Sequence, residues 1–327
     1  MAATTPFDVD SAIPELWAKL TLRDMLRGGF WANKVGGEGS RSPVIRVTDL
    51  LNSSGDAINI QLTSPLAGSG VAGDETALEG SEEALSTSQI KVVPLLYRHA
   101  VRSYRRAQKK SIVDLRQEAK LRLAEWGQEK MDDVRFANYV SSATFNGEVY
   151  TPNTFTEDVG AGGVPGDVDA GDDLDVVLIQ RAKVTMYGNR ALPLKTMDGN
   201  EFFGLVAHQN SIYDLKRDAE YVSWVKDAEV RGKDNPFFQG SIAMIDGVAI
   251  FQHSNVPTAA DGNAVSVSRN IMFGAEAFIE GLDEGVTWVE DTFDYENQFG
   301  IAYSFAFQPR RGLAKNSMIL YADVTAP

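Results

Sequence analysis

"SIVDLRQEAKLRLAEWGQEKMDDVRFANYV", residues 111–140, is the stretch from which the fold is read most directly. Leu115, Ala119, Leu123 and Trp126 recur at helical spacing, giving one apolar side. Ser111 and Asp114 form a capping-box pattern, and Glu118 stands four residues before Arg122, the favourable order for an ion pair along a helix. The spacing predicts a helix over 111–140, roughly 45 Å long at about 1.5 Å per residue. Few globular helices are so long, and Gly127 offers it a place to bend.

Immediately upstream, "KVVPLLYRHAVRSYRRAQKK" (91–110) contains seven Lys and Arg and no acid. Further back, "ALEGSEEAL" (77–85) ends a Gly-rich stretch that carries five acids between Asp74 and Glu83. Around that stretch the period is two: "VIRV" at 44–47, "AINIQL" at 57–62 with Ile58, Ile60 and Leu62 on one face, and "TSQIKVV" at 87–93 as the return partner. These segments predict a long two-stranded arm with a loose charged tip over 63–86. An isolated hairpin is marginal in water and needs a surface to lie on. A charge run is ordinarily a solvated face, and one exposed ion pair contributes only ~0.2–1 kcal/mol. In a closed array of copies the same small term recurs at every contact. An arm, an acidic tip and a basic segment entering a long helix therefore point to use of these charges between subunits.

Composition bounds the alternatives. The chain has 327 residues, 43% of them hydrophobic, enough for a sizeable core. The N-terminal "MAATTPFDVDSAIPEL" lacks a signal-peptide pattern and no apolar run is long enough to span a bilayer, so a cytoplasmic, non-membrane protein is expected. There is no cysteine, which excludes disulfides, thiolate metal sites and cysteine nucleophiles. A formal charge of −14 argues against a general nucleic-acid binder.

Elsewhere, residues 11–29 read as a short amphipathic helix ended by Gly28–Gly29. Residues 146–172, rich in Gly, Pro and Asp, read as loop. A helix is expected from Asp173 to Met186 with Asp172 or Asp173 as cap, a strand over 201–208, and a helix from Asn210 to Val225 opened by Ser211 and Asp214. Asp246–Gly247 reads as a two-residue turn between strands. Ile301, Tyr303, Phe305 and Phe307 alternate before a last strand from Met318 to Val324. This mixture is α+β.

No catalytic, metal or cofactor motif emerges. His99, His208 and His253 are the only histidines and are scattered; a joint site of His208 and His253, as in a metal-dependent hydrolase, is the remote alternative. Ser211 lacks the Gly-x-Ser-x-Gly setting of a nucleophile elbow. Counting a calcium loop from Asp167 puts Asp172 and Leu178 where Gly and Glu are required, so that reading fails.

The order of "ALEGSEEAL", "LYRHAVR", "DLRQEAKLRLAEW", "NPFFQGSIAMIDGVAIFQHSNV" and "YENQFGIAYSFAFQPRRGLAKNSMILYADV" resembles the major capsid proteins of tailed phages. In particular it resembles the phage N-four coat-protein group within the Hong Kong 97-type fold. That resemblance implies an N-terminal arm (1–40), an extended loop (41–100) and a peripheral domain (101–174) with its spine helix at 111–140. An axial domain (175–284) and return strands of the peripheral domain (285–327) complete the map. It implies self-assembly into hexameric and pentameric capsomers of an icosahedral head around double-stranded DNA bound without sequence specificity. Portal and scaffolding or decoration proteins are the further partners implied, with assembly in the host cytoplasm. In this fold the extended loop crosses onto an adjacent subunit, so Glu79, Glu82 and Glu83 become candidates to meet Arg98, Arg102, Arg105 or Arg106 of a neighbour. A bacterial nanocompartment shell, which uses the same fold, is the alternative.

Overall fold

In the computed structural model the described residues are 29–37, 41–48, 55, 57–63, 71–72, 79, 82–84, 87–111, 114–141, 143–145, 148–150, 152–195, 201–223 and 244–324. Apart from Gly29, the helix expected over 11–29 lies outside them, as does most of the acidic tip over 63–86. The short strands β1 (Val35–Gly36) and β2 (Val44–Val47) come first, then the hairpin strands β3 (Ile58–Thr63) and β4 (Thr87–Val92). Next are β5 (Leu95–Tyr104), α1 (Arg105–Lys110) and α2 (Leu115–Val140), followed by β6 (Ala143–Phe145), β7 (Glu148–Tyr150), β8 (Asn153–Thr156) and β9 (Gly160–Ala161). After α3 (Val176–Gly188) come β10 (Leu194–Lys195), β11 (Glu201–Ala207) and α4 (Gln209–Leu215). The rest is strands: β12 (Met244–Ile245), β13 (Val248–Gln252), β14 (Thr258–Ala259), β15 (Val267–Phe273), β16 (Phe278–Phe293), β17 (Gln298–Arg311) and β18 (Ser317–Asp323).

Two sheets share one helix. The first has the order β1-β2-β16-β17-β5; the second runs β12-β13-β11-β15-β18-β8-β9, with β10 on β11 and β14 on β15. From Ala119 to Val134, α2 lays Ala119, Leu123, Met131 and Val134 on Trp288, Ile301, Tyr303, Phe305 and Phe307 of the first sheet. Its last turns lay Phe136, Tyr139 and Val140 with Trp31 on Val206, Ile271, Phe273 and Ile319 of the second. At 26 residues, about 39 Å by the helical rise, α2 is long because it must reach across both cores.

The second sheet is covered on both faces, which explains why its strands are apolar almost throughout. Met272, Met318, Leu320 and Ala322 face α3 and α4, while Ile271, Phe273, Ile319 and Tyr321 face α2. The alternation read over 301–307 is present, with all four side chains buried. The arm is present at its base: β3 pairs antiparallel with β4 in the register Ile58↔Val92 and Ile60↔Ile90. Asp246 and Gly247 both have positive φ, 45° and 73°, as a tight hairpin turn requires.

Several expectations need correction, each for a local reason. The long helix starts at Leu115 and not Ser111, because Asp114 takes the cap and accepts the Arg116 amide at 3.0 Å. Ser111 instead ends α1, its amide donating to the Ala107 carbonyl. The basic segment before the helix is mostly strand: Leu95–Tyr104 pairs with β17 over ten positions, since His99 and Val101 alternate with outward residues. Residues 146–172 are not all loop, because Asn153–Thr156 joins the second sheet beside β18. Asp175, not Asp172 or Asp173, caps α3 by accepting the Leu178 amide at 2.6 Å. The helix expected over 210–225 is broken after Leu215, and its cap is the His208 ring nitrogen rather than Ser211. Ser211 is buried against the Ser268 hydroxyl at 2.9 Å.

Candidate assembly surface

On β5 the residues facing α2 are Tyr97, His99 and Val101, with the His99 ring 4.9 Å from that of Trp126. Strand side chains alternate, so Arg98, Ala100, Arg102 and Tyr104 point to the opposite face. Their register builds that face row by row. Arg98 stands beside Ser304 and Thr287, Ala100 beside Ala302 and Val289, Arg102 beside Gly300 and Asp291, and Tyr104 beside Gln298 and Phe293.

Small residues in the middle rows leave a groove. A cavity of about 480 Å³ is lined by Arg98, Ala100, Thr287, Val289, Ala302 and Ser304, and an adjoining one of about 280 Å³ reaches Arg102, Asp291, Phe293 and Gly300. Val289 is 52% exposed in its floor although it is a strand residue with apolar neighbours. Gly300 is needed there: a Cβ at that position would meet the Phe293 ring at 2.7 Å. Over that ring the Arg102 guanidinium sits 4.0 Å from the centroid, a cation–π contact that fixes its direction.

The structure divides the four candidate arginines. Arg98 and Arg102 are exposed on the grooved face, whereas Arg105 and Arg106 are exposed on α1, beyond the end of β5. Glu79, Glu82 and Glu83 are exposed. The groove floor, Val289, Ala302 and Ser304, was not indicated by the sequence reading; the parity of "VTWVEDTF", with Trp288 inward and Val289 outward, carries that signal.

Opposite the groove, a buried ionic junction fixes the first sheet to α2 and the arm's root. Glu280, 0% exposed on β16, accepts from Arg135 Nε at 2.6 Å and from Arg46 of β2 at 2.9 Å. Arg135 also meets Asp132, whose carboxylate accepts the Phe30 amide at 2.7 Å. Burial raises the Glu280 carboxyl, but the two guanidiniums outweigh it and hold it below the usual range.

The histidines have local roles. His208 Nδ1 accepts the Asn210 amide, and His253 Nδ1 accepts the Asn255 amide while its ring stacks on Phe136 at 4.8 Å. Burial lowers the pKa of both. Among the described residues no group of three or more acids and histidines is placed to hold a metal, and no helix is long and apolar enough to cross a membrane.

Two sheets bridged by one long helix, with a two-stranded arm leaving the first, define a shell-forming architecture of the Hong Kong 97 type. The family model described as phage capsid protein matches residues 9–315, and the chain belongs to that family of virion structural proteins. It is 28% identical to the major capsid protein of Pseudomonas phage KPP25, across 84% of this chain and 83% of that one. The capsid of Ralstonia phage GP4 superposes with a TM-score of 0.73 at 21% identity, covering 91% of this chain and 92% of that one. The capsid of cyanophage Pam1 gives 0.75 at 15% identity, covering 92% and 94%. The protein is a bacteriophage major capsid protein.

Proposed function

We propose that the chain builds the icosahedral head of a tailed double-stranded DNA phage through capsomers of six and five copies, and that the extended arm of one copy lies on the grooved sheet face of the next. The observation carrying this reading is the groove itself: an outward face with a small-residue floor, an exposed Val289 and two arginines, on the side away from α2. The acids Glu79, Glu82 and Glu83 supply the opposite charge on the arm. Arg98 and Arg102 flank the floor, and Arg105 and Arg106 extend the positive strip beyond it.

On this reading residues 1–40 form an N-terminal arm, 41–100 the extended loop, 101–174 and 285–327 the peripheral domain, and 175–284 the axial domain. Structure supports one refinement: β5 pairs with β17, so the extended loop ends before Leu95. A portal, and scaffolding or decoration proteins, complete the head, which assembles in the host cytoplasm. The formal charge of −14 is compatible with a container that holds DNA without gripping it. The chain performs no catalysis and takes no cofactor or metal. Membership of the phage capsid family favours this reading over a nanocompartment shell or a histidine-based hydrolase.

Expression of the full chain with the phage's other head genes, followed by sedimentation velocity and negative-stain microscopy, tests it. Closed shells or capsomer rings are expected. A chain that stays monomeric in that setting contradicts the reading.

A further inference from the structure

The hairpin between β16 and β17 closes in a way its sequence does not favour. Asp294, Tyr295 and Glu296 are all left-handed, with φ of 55°, 51° and 65°. A side chain with a Cβ is disfavoured there, and an Asn-Gly turn would join two strands with less strain. The loop is held by the Asn297 amide donating to the Asp294 carbonyl, and by the Asn297 side chain donating to the Asp294 carboxylate, both at 3.0 Å. It is further held by the Arg105 amide, which donates to the Asn297 carbonyl at 2.9 Å. What this arrangement displays is Tyr295, at 103% exposure, between two exposed acids.

The same hydrogen bond from Arg105 brings the start of α1 to this tip. The helix reads RRAQKK; Arg105, Arg106, Lys109 and Lys110 are exposed, and only Gln108 turns toward the strands, beside Glu290 and Asp291. Among the described residues none of these four cations forms an ion pair within the chain, and neither does Asp294 or Glu296. An acidic aromatic tip and a basic helix thus lie side by side at one end of the first sheet, and among the described residues neither has its charge matched by an ion pair.

We propose that this end of the molecule is a second interface between copies, distinct from the arm and groove: the Asp294–Tyr295–Glu296 tip of one copy docks on the Lys109 and Lys110 face of α1 in the next. The patch carries both halves of the contact, so repetition around a symmetry axis satisfies every copy except at an open end. Tyrosine suits the centre of such a contact. It has few rotamers to lose, and its ring face attracts lysine and arginine. The hydrogen-bonded turn already presents it to solvent, which lowers the ordering left to be done on docking. This inference rests on the reading of the chain as a shell subunit.

The test is a charge exchange in the full chain, expressed with the other head genes beside the wild type. D294K/E296K and K109E/K110E are each expected to lower the assembled fraction by roughly ten-fold, with folding checked by thermal melting, because each sets like charges face to face. The four-fold variant carrying both pairs is expected to recover assembly to within about two-fold of wild type, since the attraction is restored with its sign exchanged. Y295S, which keeps the charges, is expected to reduce assembly as well. Shells at wild-type yield from both paired variants, or no recovery in the four-fold variant, would overturn the contact while the assembling wild type left the shell reading standing. Loss of assembly in the wild type itself would overturn both.

Discussion

Arg135 on α2 donates its Nε to Glu280 Oε1 on β16 at 2.6 Å, with the two side chains 2% and 0% exposed. Arg46 reaches the other carboxylate oxygen, so one buried acid joins the root of the arm, the long helix and the longest strand. Removing one partner of a buried ion pair leaves the other charge without compensation, a cost of about 3–5 kcal/mol. Glu280→Gln is therefore expected to lower the melting temperature sharply while changing the packed volume little. The pH dependence has a definite sign. The Glu280 carboxyl is held below its ordinary value of 4.5, so its contribution is present above that pH and lost as pH falls through the folded value. Melting curves below about pH 4.5 should show wild type losing stability that the Gln variant never had.

The charges on the grooved face predict salt-sensitive assembly. Arg98 and Arg102 are exposed, so their attraction for a neighbour's acids is screened as the Debye length falls from about 10 Å at 0.1 M to about 3 Å at 1 M salt. R98E/R102E is expected to reduce shell yield by roughly ten-fold at physiological salt while the subunit melts normally. R105E/R106E tests the remaining two candidates in the same assay. If the arm uses the sheet face, the first pair should cost more than the second in any measurement that isolates arm docking, such as protection of residues 63–86 from protease. Equal protection in R98E/R102E and wild type would count against the sheet face.

Much of the scaffold was legible because it follows simple periods. The 301–307 alternation, the Asp246–Gly247 turn and the long amphipathic helix rest on contacts close in sequence or on a repeated parity. The strand over 95–104 was harder, because basic residues occupy its outward positions and only pairing with β17 makes it extended. Caps were misplaced where several Asp or Ser compete: 172, 173 and 175 are all Asp, and backbone geometry selects Asp175. The candidate arginines could be picked from charge alone, but not their division between sheet face and α1. The groove was not legible, since Val289, Ala302 and Arg98 meet only through the register of three strands.

Asp214 gives a prediction of opposite sign to Glu280. It lies with Glu157, Asp173, Asp175, Asp218 and Arg217 around a cavity of about 410 Å³, and its Oδ2 is buried without a hydrogen bond. Burial, then repulsion from Asp173 and Asp323, pushes its carboxyl up to about 6 from 3.8, against the pull of Arg217. A folded-state value above the unfolded one means the ionised form opposes folding; the penalty is complete above about pH 6 and relieved as pH falls toward 3.8. Asp214→Asn is expected to stabilise the subunit at pH 7.5 by about 1 kcal/mol after solvent screening, and by nothing near pH 3. A variant less stable than wild type at pH 7.5 would show that the carboxylate has a favourable partner.

Shape and charge on the grooved face can be separated at Gly300. A Cβ there would meet the Phe293 ring at 2.7 Å, and the ring is 37% exposed, so it can swing outward rather than strain the core. Valine also suits a strand backbone, and the expected cost to the isolated subunit is within about 1 kcal/mol. The displaced ring would take with it the platform under Arg102 and fill the floor between Asp291 and Ala302. Gly300→Val is therefore expected to melt within a few degrees of wild type and yet to assemble roughly ten-fold less. Lowering the salt should not rescue it, because no charge has been removed. Assembly at wild-type yield would mean that nothing enters the groove, and that the arm of the neighbouring copy runs elsewhere.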